Sequence, residues 1–138
     1  MPKKTIRLVI DTNIWISFLI GKTLAGLTRA IIENNVTILF STELFDEVIE
    51  VLQRPKFRKY FSQEDIQELI SLIHSRVEWI EINKHFDDCR DPKNNFLLDL
   101  SVAGNADYLI TGDDDLLVLN PYRDIEIVNY KEFTRVLS

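Results

Sequence analysis

The residues of this 138-residue chain best suited to chemistry are carboxylates, and they fall where apolar runs end. Leu8-Val9-Ile10 leads directly into Asp11-Thr12-Asn13, and Tyr108-Leu109-Ile110-Thr111 leads into Gly112-Asp113-Asp114-Asp115. Two strands that each deliver a carboxylate at the carboxyl end predict one shared site at the edge of a parallel sheet, where open α/β sheets form their clefts. Carboxylates crowded together repel, and a hard divalent cation with oxygen ligands relieves that repulsion. The expected chemistry is metal-assisted attack on a phosphate ester.

Each acid also has a plainer reading. Asp11 sits where a helix cap would be needed for a turn beginning at Thr12, while Thr12 and Asn13 offer a hydroxyl and an amide to orient its carboxylate or a water. Glu47 belongs to a predicted helix Thr42–Gln53 and, at roughly 100° per residue, lies about 60° outside Leu44 at the border of the apolar arc. It is the acid of that helix best placed to reach around the core edge, ahead of Glu43; alone, it would read as a solvated helix acid. Asp99 lies on a predicted helix Asn95–Gly104 that is apolar nearly all round. An isolated ionised carboxylate there is heavily penalised unless paired or metal-bound, and a hydrogen bond to a neighbouring loop is the rival account. One acid after Gly112 suffices to cap a short helix Asp114–Leu117, so Asp113 is favoured as a ligand, Asp115 as a second, and Asp114 faces solvent. Cys89, His74 and His85 lack zinc-ligand spacing.

The elements that must position these acids alternate along the chain. Strands are expected at Ile6–Ile10, Val36–Phe40, Val77–Ile82, Tyr108–Thr111 and Ile125–Asn129. Helices are expected at Ile14–Ile20, at Leu24–Asn34, and from a Ser41 or Thr42 cap to Gln53 before Arg54-Pro55. Ser62-Gln63-Glu64-Asp65 resembles a capping box opening a helix to about Ser75. Asn83–Pro92 reads as loop, Asn94 or Asn95 as the cap of the helix carrying Asp99, and the chain ends in a helical turn. Strands alternating with helices imply a mostly parallel sheet covered on both faces.

Composition bounds the setting. With 46% apolar and 28% charged residues the chain can bury a core as one domain over 1–138. No apolar run approaches the roughly 20 residues of a membrane span, and Met1–Thr5 lacks the pattern of a secretory signal. A single cysteine excludes an internal disulfide framework, so a cytoplasmic, reducing compartment is expected. The net charge of −6 argues against a nucleic-acid partner, an objection that weakens if several acids hold cations. Against that background Arg54-Pro55-Lys56-Phe57-Arg58-Lys59-Tyr60 interleaves bases with aromatics, a composition suited to phosphate contact and base stacking, or equally to a solvated inter-helix loop.

Taken in order, several segments resemble the PIN-domain family: Val9-Ile10-Asp11-Thr12-Asn13, Ser41-Thr42-Glu43-Leu44-Phe45-Asp46-Glu47-Val48, Leu52-Gln53-Arg54-Pro55-Lys56-Phe57, Cys89-Arg90-Asp91-Pro92 and Ala106-Asp107-Tyr108-Leu109-Ile110-Thr111-Gly112-Asp113. The branch most resembled is that of the VapC-like ribonucleases, toxin components of prokaryotic toxin–antitoxin systems. The resemblance implies an α/β fold with a mostly parallel five-stranded sheet flanked by helices on both faces. It also implies Mg²⁺ or Mn²⁺ held by Asp11, Glu47 and Asp113, ribonuclease activity, frequent homodimers and often an antitoxin that blocks the site; that no membrane partner is expected follows from the apolar runs alone. In much of this branch an aspartate stands where this chain has Asn94. An amide can ligate a metal but adds no charge, so either Asp99 or Asp91 compensates or catalysis is weakened.

The expectation is therefore a metal-dependent endoribonuclease with Asp11, Glu47, Asp99 and Asp113 as catalytic metal ligands and Asp115 as a further ligand. Asn13 and Asn94 would support them, and Arg54, Lys56, Arg58 and Lys59 would contact RNA. The alternative is a catalytically weakened scaffold that binds RNA or protein. A receiver domain would need an acidic pair after the first strand, which Asp11-Thr12 does not supply, and a lysine after the last, which Lys131 matches only loosely.

Overall fold

The computed structural model describes residues 5–137. Its central strand, β1 (Ile6–Ile10), lies between β2 (Val36–Phe40) and β4 (Tyr108–Ile110), with β3 (Val77–Trp79) and β5 (Glu126–Val128) at the edges. Every pairing among these strands is parallel. Val9, Ile10, Ile38, Leu39, Phe40 and Leu109 are fully buried, which accounts for apolar runs that do not alternate: both faces of the sheet are covered.

The helices are α1 (Thr12–Ile20), α2 (Leu24–Glu33), α3 (Thr42–Leu52), α4 (Gln63–Arg76), α5 (Asn95–Ala103), α6 (Asp114–Leu117) and α7 (Tyr130–Leu137). Local chemistry sets their ends. The Ser41 hydroxyl accepts from the Leu44 N–H at 3.2 Å, and Ser62 and Asp65 cap each other reciprocally at the start of α4. Beyond α2, Asn35 takes a left-handed φ of 54°, and beyond α5 Asn105 takes one of 52°. Gly104 itself has φ −90°, so its lack of a side chain serves packing: a Cβ there would lie 2.7 Å from Leu39 Cδ1.

Several boundaries differ from expectation. β3 stops at Trp79, because Trp79 is in register with Phe40, the last residue of β2; one further bond, from the Ile80 N–H to the Phe40 carbonyl at 2.8 Å, closes the ladder. α1 starts at Thr12, directly off the strand, with the Asp11 carbonyl accepting from Ile14 and Trp15. Pro55–Phe57 and Pro92–Asn94 form single 3₁₀ turns, each with proline supplying the helical φ without needing a donor. The terminal helix is eight residues long and buries Phe133 against Tyr108 at 5.4 Å. Among the described residues no single helix is long and apolar enough to cross a membrane.

The order β3-β2-β1-β4-β5 places the functional question. From β1 the chain winds outward through β2 and β3, then returns to lay β4 on the other side of β1. The winding reverses between β1 and β4, and in open α/β sheets the ligand cleft forms at the carboxyl ends of the two strands flanking that reversal. Those ends are Asp11 and the segment 111–113.

Candidate active site

A single buried hydroxyl organises the cleft. Thr111, fully buried at the end of β4, donates through Oγ1 to Asp11 Oδ2 at 2.7 Å and accepts from the Asp113 N–H at 3.0 Å. The backbones are locked too, with the Asp11 N–H donating to the Ile110 carbonyl at 2.9 Å. Asp113 caps α6, its Oδ1 accepting from the Asp115 N–H at 2.8 Å, while its Oδ2 accepts from Asn94 Nδ2 at 2.7 Å. From α3, Glu47 accepts a short hydrogen bond from the Thr12 hydroxyl. Three acids distant in sequence thus arrive at one place, each delivered by a different element.

The electrostatics follow from burial. Asp11 is 5% exposed, and its carboxyl is pushed above the ordinary carboxylate range, first by desolvation and further by the charges of Glu47 and Asp113. The Thr111 hydroxyl and the nearby Asn13 backbone N–H oppose that shift without cancelling it. Although Asp11 occupies the N-cap position of α1, it makes no side-chain cap hydrogen bond. Its donors among the described residues are neutral.

Such a group suits a hard cation, because every available ligand atom is oxygen and a positive charge would relieve the strain on Asp11. Among the described residues no three Asp, Glu, His or Cys side chains stand in a ready-made metal cage. That is compatible with Mg²⁺, which keeps several waters and binds through one or two carboxylates together with substrate phosphate. Asp11, Glu47 and Asp113 are the residues that fit this role.

The remaining candidates take other positions. The backbone N–H of Asp115 serves the cap, and its carboxylate, with those of Asp113 and Asp91, acts on the Cys89 thiol. Burial, before any charge, pushes that thiol upward. Asp99 is buried, and both of its oxygens meet the 83–91 loop: Oδ1 accepts from the Phe86 N–H at 2.7 Å and Oδ2 lies 2.9 Å from His85 Nδ1. The Asn13 side chain is exposed. Neither Asn94 nor Asn95 caps α5 as expected. Asn94 has no cap bond and reaches Asp113 instead, while Asn95 Oδ1 accepts from the Cys89 N–H at 2.9 Å, because the 3₁₀ turn before the helix swings both amides toward neighbouring segments. Arg54 pairs with Glu50 at 2.9 Å, Lys56 lies over Phe57 and Lys59 over Tyr60. Arg58 lines an open groove of about 520 Å³ with Phe61 and Ile66.

Thr111 and the partner of Thr12 were not legible in the spacing of the acids. A hydroxyl closing an apolar strand one residue before Gly-Asp was the available signal, since a buried hydroxyl must find a partner.

Comparison with known proteins bears on the family and the fold. Residues 7–115 match the family described as "PIN domain". The uncharacterized protein MJ1680 of Methanocaldococcus jannaschii is 32% identical over 137 residues, spanning 95% of this chain and 88% of its own. The crystal structure of VapBC2 from Rickettsia felis, bound to a DNA fragment from their promoter, superposes with a TM-score of 0.59 at 16% identity, covering 90% of this chain and 98% of that one. PAE2754 from Pyrobaculum aerophilum gives a TM-score of 0.56 at 13% identity, covering 95% and 89%.

Proposed function

The chain belongs to the PIN-domain family, and from that premise we propose that it is a Mg²⁺- or Mn²⁺-dependent endoribonuclease, the toxin of a toxin–antitoxin pair. PIN-family membership carries the general assignment to nucleases. The observation that carries the finer reading is the raised, buried Asp11 beside Glu47 and Asp113 at the topological switch point.

When bound, a divalent cation would lower the pKa of a coordinated water and offset charge developing on the phosphate. Asp11, Glu47 and Asp113 would hold it. Thr111 fixes Asp11 relative to Asp113, and Thr12 fixes Glu47, so the carboxylates are oriented before substrate arrives. Asp115 and Asp99 remain further ligand candidates, and Asn13 a supporting residue. Arg54, Lys56, Arg58 and Lys59 provide the basic stretch for phosphate contact, with exposed Tyr60 available for stacking. A cytoplasmic setting, an antitoxin partner and a homodimer complete the proposal; the likeness to the VapBC2 structure supports the partner.

One observation favours a second reading, a PIN scaffold that binds RNA or protein without cutting: Asn94 places an amide against Asp113, and no three-acid cage is preformed among the described residues. The deciding experiment incubates purified protein with single-stranded RNA and Mn²⁺, against EDTA and against Glu47→Gln. Metal-dependent cleavage lost in the variant supports the ribonuclease; cleavage that persists in EDTA or in the variant overturns it, and RNA binding without cleavage selects the scaffold.

A further inference from the structure

Each of the three clustered carboxylates is held by an uncharged donor: Asp11 by Thr111, Glu47 by Thr12 and Asp113 by Asn94. The first two donors are hydroxyls, which rotate and can accept as readily as donate. The third is an amide with Nδ2 2.7 Å from Asp113 Oδ2, and turning its oxygen inward would set two electronegative atoms against each other. Its backbone is fixed as well. The Asn94 N–H donates to the Asp91 carbonyl at 3.1 Å, within the turn that Pro92 opens.

We propose that Asn94 is a positioning residue that sets the cation affinity of this site: its amide holds Asp113 in place in the metal-free protein and withholds the negative charge that a carboxylate would add. The inference rests on the metal-dependent reading above. The two acids expected to compensate, Asp99 and Asp91, carry hydrogen bonds of their own. Both oxygens of Asp99 meet the 83–91 loop, and Asp91 Oδ1 accepts from the Lys93 N–H at 3.1 Å. A site built this way folds without metal, binds the ion weakly, and relies on substrate phosphate to complete its coordination.

The test is thermal unfolding of wild type, Asn94→Asp and Asn94→Ala, in EDTA and across a Mn²⁺ titration, without RNA. Asn94→Asp should lower the metal-free Tm by several degrees, since it replaces a donor with a like charge. It should also reduce the Mn²⁺ concentration for the half-maximal shift by about tenfold. Asn94→Ala should lower the metal-free Tm with no gain in affinity, separating lost positioning from added charge. If Asn94→Asp is unfolded in EDTA, restoration of the fold by Mn²⁺ upholds the proposal and failure to restore it overturns it. A metal-free Tm or a Mn²⁺ midpoint at the wild-type value in Asn94→Asp also overturns it, while leaving the metal-dependent reading intact if wild type responds. No Mn²⁺ response in either protein removes both.

Discussion

The two ends of β1 treat negative charge in opposite ways. Near its start, the Arg7 guanidinium meets both oxygens of Glu78 at 3.2 and 2.8 Å and donates Nε to the Gly104 carbonyl at 2.7 Å. The Arg7 backbone N–H bonds Asp107 at 2.8 Å. That guanidinium holds Glu78 below the usual carboxylate range. Just past the other end, among the described residues, Asp11 is met by the neutral Thr111 hydroxyl rather than a cation, and its carboxyl is pushed upward. Where the chain supplies its own cation, acids staple the sheet. Where it withholds one, they burden folding until a positive group arrives from outside.

The sharpest way to break this contrast is Asp11→Asn. RNA cleavage should fall at least about a hundredfold, beyond the usual effect of altering a ligand's supporting partner, yet the metal-free Tm should rise. The sign follows from the raised pKa: native Asp11 holds its proton more tightly than the unfolded chain does. Wild-type stability therefore declines as pH climbs from the ordinary carboxylate range through the native Asp11 value. Asp11→Asn should lack that decline, so the two metal-free melting curves meet at acid pH and separate above it. Equal Tm values at neutral pH in EDTA would refute the account of a strained carboxylate.

Thr111→Val tests whether orientation matters apart from charge. It keeps the volume and removes the hydroxyl shared by Asp11 and Asp113, so cleavage should drop about 10–100-fold in initial-rate assays. On the paired side, Gly104→Ala should cost about 1–3 kcal/mol in denaturant unfolding, because the new Cβ meets Leu39 and Ile80. Its Mn²⁺ response should match wild type. Smallest of all, Glu78→Gln should cost less than about 1 kcal/mol, since this pair is largely solvated. Here the sign is reversed. A depressed native pKa gives stability that is present above the unfolded value and lost as pH falls, so Glu78→Gln and wild type should converge in acid.

The same contrast explains what could be seen in the sequence. β1, β2 and β4 announced themselves because strands buried on both faces are mostly apolar, with Arg7 and Thr37 confined to the less buried starts of β1 and β2, and the acids that end β1 and β4 stand out against such runs. Glu47 was readable from its angle on an amphipathic helix. Less visible were features set by distant partners. The end of β3 depends on where β2 stops, and the destinations of Asp99, Asn94 and Asn95 depend on the path of the 83–94 segment. That path follows hydrogen bonds to side chains rather than any periodicity, so no pattern encodes it. The fold was therefore more legible than the division of labour among the polar residues of its cleft.

Both outer strands of the sheet are only three residues long, and each exposes a glutamate, Glu78 in β3 and Glu126 in β5. Short margins bearing charge make poor templates for another chain's backbone, because there is little ladder to extend and an acid beside it. Pairing of two such sheets edge to edge is thereby disfavoured.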